Sequence, residues 1–147
     1  KSGRSCTRVQ YSDSPLRRLL ARAYTQGDLT AVDELIAPGG ITHGGAWGIR
    51  QTRTGLKRLI AVVRTAFPDL HCTIDDEIQV GDRLAAHWTL YGTHTGPFLG
   101  NQPTRRPVVV QGVSFARVAN GQIVEAWTVL DQMSMLQQLG IVPPQGY

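Results

Sequence analysis

The chain has 147 residues, 41% of them hydrophobic and 18% charged, with a formal net charge of +4. That length suits one domain, able to bury roughly two thirds of the surface its unfolded chain exposes, and the balance excludes a disordered chain. No apolar run approaches the roughly 18 residues of a membrane span, and the start, KSGRSCTRVQYSDS, holds no apolar core of signal-peptide length.

Residues 1–13 read as a flexible, basic lead, and residues 14–147 as a single folded domain. Ser14-Pro15 supplies an N-cap with proline at the first helical position. Leu16, Leu19, Leu20 and Ala23 then form one apolar face up to Tyr24, and Gly27 stops the helix. Asp28 can cap a second short helix, LTAVDELI, which ends at Pro38-Gly39-Gly40. The stretch ITHGGAWG holds too many glycines for regular structure and is expected to be a loop or short edge strand. A longer helix spans 54–66, with Leu56, Leu59, Ile60 and Val63 on the 3.6-residue period. Phe67-Pro68-Asp69 ends it.

Beyond that point the period changes to two. HCTIDDEIQV runs as a strand into the turn pair Gly81-Asp82. RLAAHWTLYGTHTG is a second strand, leading into the loop GPFLGNQPTRRP. VVVQGVSFARV is a third, turned by Asn120-Gly121, a strong hairpin signal. QIVEAWTVLD pairs back as a fourth, and SMLQQLGIVPP closes the chain as a helical turn and tail. Helices followed by an antiparallel meander predict an α+β domain with helices on one face of a curved sheet.

Cys6 and Cys72 show neither metal-ligand spacing nor a nearby partner, which predicts a reduced, cytosolic protein with Cys72 in the core. Arg17, Arg18 and Arg22 crowd one helix, and Arg50, Arg53 and Lys57 another. Without interleaved aromatics, these are solvated faces rather than a nucleic-acid surface.

Glu125 and Asp131 are the only carboxylates after Asp82. On one strand, residues 125, 127, 129 and 131 share a face. Six residues at ~3.3 Å rise separate the two acids by about 20 Å, too far for a two-carboxylate glycosidase, which needs them within about 10 Å. Glu125 lies near the hairpin turn with Arg117 opposite, the setting of a solvated ion pair. Asp131 has two readings. Among Trp127, Leu130 and the methionines it would be desolvated, which raises its pKa toward the working range of a general acid/base. Alternatively it N-caps the following helix, with Ser134 nearby.

The four histidines show no metal spacing. His43 and His94 adjoin glycines in loops that could form a cavity rim. Gln111 interrupts VVVQGV, where a buried amide would need partners and could bind a ligand carbonyl. Trp47, Phe67, Trp88, Phe98 and Trp127 could line an apolar pocket for flat ligands, or serve as ordinary core.

The order of GDLTAVDELIAPGGITHGG, AFPDLH and GTHTGPFLGNQPTRRPVVVQGVSFARVANGQIVEAWTVLDQMSMLQQLG resembles the SnoaL-like polyketide cyclase family, also labelled ester cyclases, from about Leu16 to Gly140. The resemblance implies the cone-shaped α+β barrel of the nuclear transport factor 2-like superfamily, with ketosteroid isomerase and scytalone dehydratase as fold relatives. It implies a bacterial, cytoplasmic enzyme that closes a ring in an aromatic polyketide ester by cofactor-free intramolecular aldol chemistry. Asp131 would be its general acid/base, and His43, Trp47, Phe67, His94, Phe98, Gln111 and Trp127 its substrate-binding residues, with no metal. The expected partners are a small aromatic substrate and further copies of the chain, as a dimer or tetramer, with neither nucleic acid nor membrane. Epoxide-opening cyclisation, a hydroxylation-associated role and a non-catalytic ligand-binding module are the alternatives.

Overall fold

The computed structural model describes residues 14–45 and 49–144. The expected flexible lead over residues 1–13 and the candidate Trp47 lie outside the described residues. Among them, no helix is long and apolar enough to cross a membrane.

Helix α1 (Pro15–Leu19) starts as its sequence predicts: the Ser14 hydroxyl accepts from the Arg17 N–H, with Pro15 next in line. The same face continues without a break into a π-helical segment, Leu20–Thr25. Gly27, at φ +76°, reverses the chain where a side chain would be strained. From a later helix, the Arg64 guanidinium reaches across and donates to the Tyr24 and Thr25 carbonyls, two of the orphan acceptors at that end. Helix α2 (Thr30–Leu35) is preceded by Asp28, whose carboxylate accepts from the Thr30 N–H and hydroxyl.

Strand β1 (Ile36–Gly44) is the edge strand of the two readings given for the glycine-rich stretch, but it begins earlier than expected, at Ile36. It runs parallel to the last strand of the sheet, with a register break between Ile36 and Ile41. That irregularity accommodates Pro38-Gly39-Gly40 at a sheet edge, where a missing ladder donor is tolerated. Helix α3 (Arg53–Ala66) buries Leu56, Leu59 and Ile60, as its periodicity requires.

The meander follows as β2 (His71–Val80), β3 (Arg83–Thr93), β4 (Pro107–Ala119) and β5 (Gln122–Leu130). Helix α4 (Gln132–Gln138) closes the fold. The sheet order is β1-β5-β4-β3-β2, antiparallel except for the β1–β5 pair. Asn120 and Gly121, at φ +52° and +74°, supply the two positive angles that a tight hairpin turn demands. The α+β architecture expected from the sequence is therefore present, with one parallel edge added.

Along β4 burial alternates strictly. Val108, Val110, Gly112, Ser114 and Ala116 face the helices, while Val109, Gln111, Val113 and Phe115 face outward. A main core fills the space between the helices and the inner sheet face, around Leu20, Val32, Ile60, Leu84, Trp88 and Ile123. A second cluster, around Phe67, Leu70, Phe98, Val110, Met135 and Leu139, seals the other end.

Gly112 shows how tightly the inner face is filled. A Cβ there would lie 2.3 Å from the Trp88 indole. Gly112→Ala should therefore cost about 1–3 kcal/mol through overpacking, although alanine suits a strand better than glycine. Urea unfolding followed by tryptophan fluorescence would show a lower midpoint; an unchanged one would contradict this packing.

Candidate active site

Between the inner sheet face and the helices lies a cavity of about 110 Å³. Its wall is overwhelmingly apolar, with Leu16, Leu20, Leu59, Phe67, Trp88 and Phe98 among the contributors. The polar or titratable lining residues are Tyr24, Thr42, His43, Gln51, Trp88, Ser114 and Thr128. Such a site, greasy with few polar groups, is the ordinary form of a small-molecule pocket.

Several of these polar groups are already paired. The Trp88 indole N–H donates to the Ser114 hydroxyl at 2.9 Å, and Ser114 in turn bonds Thr128 at 2.9 Å. This chain ties β3, β4 and β5 together beneath the sheet. Burial pushes the Tyr24 phenol above its ordinary pKa, so it remains a neutral O–H. Burial likewise pushes the neighbouring Cys72 thiol up to about 12, which leaves it unreactive; it is partly buried and packs against the main core rather than inside it.

His43, at the Gly44–Gly45 end of β1, borders the cavity. Its Nε2 lies 2.8 Å from Glu125 Oε2, and its ring stacks on Trp127 at 5.4 Å between centroids. Arg117 approaches the other Glu125 oxygen at 3.5 Å. The His43 hydrogen bond, with a smaller contribution from Arg117, holds the Glu125 carboxyl below the usual range against some desolvation. Because an ionised carboxylate only accepts, Nε2 carries a proton in this contact, and in the neutral imidazole Nδ1 then keeps the lone pair. Sequence reading found the Arg117 partner of Glu125 but missed His43. The parallel β1–β5 register, Ile41 opposite Glu125 and His43 opposite Trp127, brings the imidazole within reach.

The other sequence candidates divide. Phe67 and Phe98 line the cavity. His94 is fully buried and packs against both rings, but it does not line the cavity. Its Nδ1 accepts from the Thr104 N–H, which ties the two ends of the loop 94–106 together. Gln111 faces outward and is exposed, bonded to His87 at 3.3 Å; the expected buried amide is not there, because its position on β4 alternates to the solvent side. Trp127 is likewise on the outer side, 38% exposed.

Asp131 needs the plainest correction. The expected desolvated acid is instead exposed, and it does not line the cavity. Its side chain accepts from the Ser134 N–H at 3.0 Å as the N-cap of α4, which is the second of its two readings. Its neighbours Leu130 and Met135 turn inward and Asp131 does not.

Gln51 is the residue that sequence reading overlooked. Its backbone makes a two-bond bridge to Thr42, which seats it beside the His43 end of the cavity. The side chain is 6% exposed, and its Nε2 has no hydrogen-bond partner. An orphaned buried donor costs about 1–3 kcal/mol.

The electrostatics of the His43–Glu125 contact can be checked directly. A depressed Glu125 pKa contributes stability above the ordinary glutamate value, and that contribution is lost as pH falls through the folded value. Side-chain carboxyl shifts followed by NMR should show Glu125 titrating below about 4.3 in the wild type. In His43→Gln it should move upward. An unmoved titration would mean that Arg117, not His43, dominates.

Comparison with known proteins supplies the wider setting. The structure matches wild-type IdmH from Streptomyces antibioticus, described as a proposed polyketide cyclase, with a TM-score of 0.76 and 36% identity over 86% of this chain and 96% of that one. AclR from Streptomyces galilaeus, described as a proposed hydroxylase, gives 0.79 and 26% identity over 90% and 82%. A protein of ketosteroid isomerase-like fold from Catenulispora acidiphila gives 0.71 at 21% identity over 86% and 92%, a likeness of fold alone. No curated protein matches the sequence. The sequence profile of the SnoaL-like polyketide cyclases matches residues 14–139, almost the whole described chain, and the chain belongs to that family.

Proposed function

We propose that the protein closes a ring in an aromatic polyketide by intramolecular aldol addition, with His43 as the proton carrier. The observation that carries this reading is the composition of the cavity wall. Among the described lining residues there is one imidazole, His43, and no carboxylate.

In the proposed reaction, His43 Nδ1 removes a proton from a carbon activated by flanking carbonyls. The enolate carbon attacks a ketone of the same molecule, and the new C–C bond leaves an alkoxide. Imidazolium His43 returns its proton to that alkoxide, so the protein ends as it began. Glu125, hydrogen-bonded to Nε2, orients the ring and stabilises the transient cation, the usual role of a carboxylate behind a catalytic histidine. Conjugation in the substrate spreads the enolate charge. The apolar wall excludes water and holds the two reacting carbons close, which supplies more of the rate than proton transfer does.

The enclosed volume bears on substrate placement. At about 110 Å³ it is smaller than the roughly 150 Å³ of a dry cavity that takes benzene. The reacting end of a polyketide would enter, and the rest would extend past the His43 end or require the cavity to widen.

A rival reading keeps Asp131 as the acid/base, as the family resemblance implies. It is favoured by Leu130 and Met135, which flank Asp131 in sequence and line the cavity. Kinetics separate the two. With an uncyclised aromatic polyketide ester, His43→Gln should lose about 100- to 10,000-fold in kcat. Asp131→Asn, which keeps an N-cap acceptor, should run near the wild-type rate. The opposite pattern would transfer the role to Asp131, and full activity in both would end the acid/base proposal.

Self-association belongs to the same reading. Val109, Val113, Phe115 and Val129 are exposed on the outer sheet face, an apolar surface of the kind that marks an interaction site. Sedimentation should return a dimer or larger species rather than a 16.1 kDa monomer. A monomer at micromolar concentration would contradict it.

A further inference from the structure

We infer that Gln51 is the hydrogen-bond donor that receives a carbonyl oxygen of the bound substrate. The inference rests on the cavity being the binding site in the proposed function, and it adds the polar group that orients the ligand there.

Three observations converge on this residue. First, Gln51 lines the cavity and is more than nine-tenths buried, yet its amide nitrogen has no partner. Native proteins rarely leave a buried donor unpaired, and an exception signals a ligand, water or function. Second, four other polar side chains of the wall are already committed. Trp88, Ser114 and Thr128 bond one another, and His43 bonds Glu125. The free N–H of Gln51 is therefore available where theirs are not.

Third, the surrounding backbone is shaped to seat this amide. Gly55 lies in the first turn of α3, where glycine is an unfavourable helix residue. A Cβ at Gly55 would stand 2.1 Å from Gln51 Oε1, so any other residue would displace the side chain. The bridge to Thr42 fixes the Gln51 backbone from the opposite side. An unfavourable glycine and an unpaired donor together weaken the free protein. Both make sense if a ligand oxygen completes the site.

The chemistry of the ligand follows. A primary amide N–H at the wall of an apolar cavity recognises a neutral acceptor, a ketone or quinone oxygen, rather than a hydrocarbon face. Placed beside the His43 end, such a bond would also draw charge from a carbonyl as its neighbouring carbon loses a proton, the requirement of an enolate-forming site.

A matched pair of probes tests this without turnover. 1-Tetralone and its carbonyl-free counterpart tetralin have nearly the same shape. The wild type should bind tetralone about tenfold more tightly, the value of one buried hydrogen bond. Gln51→Met, which keeps the length and removes the donor, should lose that preference while its thermal midpoint stays level or rises. The carbonyl stretch of tetralone bound to the wild type, read by infrared difference spectroscopy, should lie below its value in an alkane. This second readout needs no variant to fold. Equal affinity of the wild type for the two probes, no binding of either, an alkane-like stretch, or a preference surviving in Gln51→Met would each overturn the inference. A protein that closes no ring but still prefers the ketone would sink the proposed reaction and leave Gln51 in place.

Discussion

The register of β4 against β5 decides which side chains meet the cavity and which meet solvent. Gly112 pairs with Leu130, Ser114 with Thr128 and Ala116 with Ala126 on the inner face. Val113 with Val129 and Phe115 with Trp127 follow on the outer one. A shift of β5 by one residue would turn Trp127 and Val129 inward and expel Thr128 and Leu130. Two features hold the register. The Asn120-Gly121 turn admits a tight hairpin, and the Trp88–Ser114–Thr128 chain crosses three strands beneath the sheet. Breaking that chain would leave polar atoms unpaired next to the cavity, the state a buried network penalises most.

From this register the division of labour follows. The inner face is nearly devoid of charge, so a ligand inside meets apolar walls and a few neutral dipoles. The charged groups of the same strands, Arg117 and Glu125, are only half-buried and reach the site through His43 alone. In the proposed reaction, proton transfer is thereby confined to one end of the cavity. Recognition of a carbonyl would fall to Gln51, held by the bridge from β1 to the segment before α3. Strand β1, an irregular parallel edge, is the element on which both proposed roles depend.

Much of the fold was legible from the sequence. The period change after Phe67-Pro68-Asp69, the turn pairs and the Ser14-Pro15 cap all have local physical causes, and local causes can be read locally. Strand β1 was legible only in part, because its glycines argue against a strand. What makes it one is pairing with β5, far away in the sequence. The faces of the meander were legible only as a set. Alternation put residues 125, 127, 129 and 131 together, but both faces of β4 and β5 carry large apolar residues. Val109, Val113, Phe115, Trp127 and Val129 lie outside as surely as Val108, Val110 and Ala126 lie inside. Composition therefore gave no sign of which face was inner; Gln111 and Trp127 were expected on the wrong one, and so was Asp131 in the first of its two readings. Gln51 carried one faint signal, a glycine four residues on in an otherwise regular helix.

The central claim is that a substrate binds beneath the sheet, between it and the helices, rather than upon its outer surface. A crystal structure with a bound aromatic ketone tests that most directly. The account predicts the ring packed against Trp88 and Phe67, with its oxygen at Gln51 and a carbon near His43. A ring resting on Trp127 and Phe115, with its oxygen beside Asp131, would contradict it.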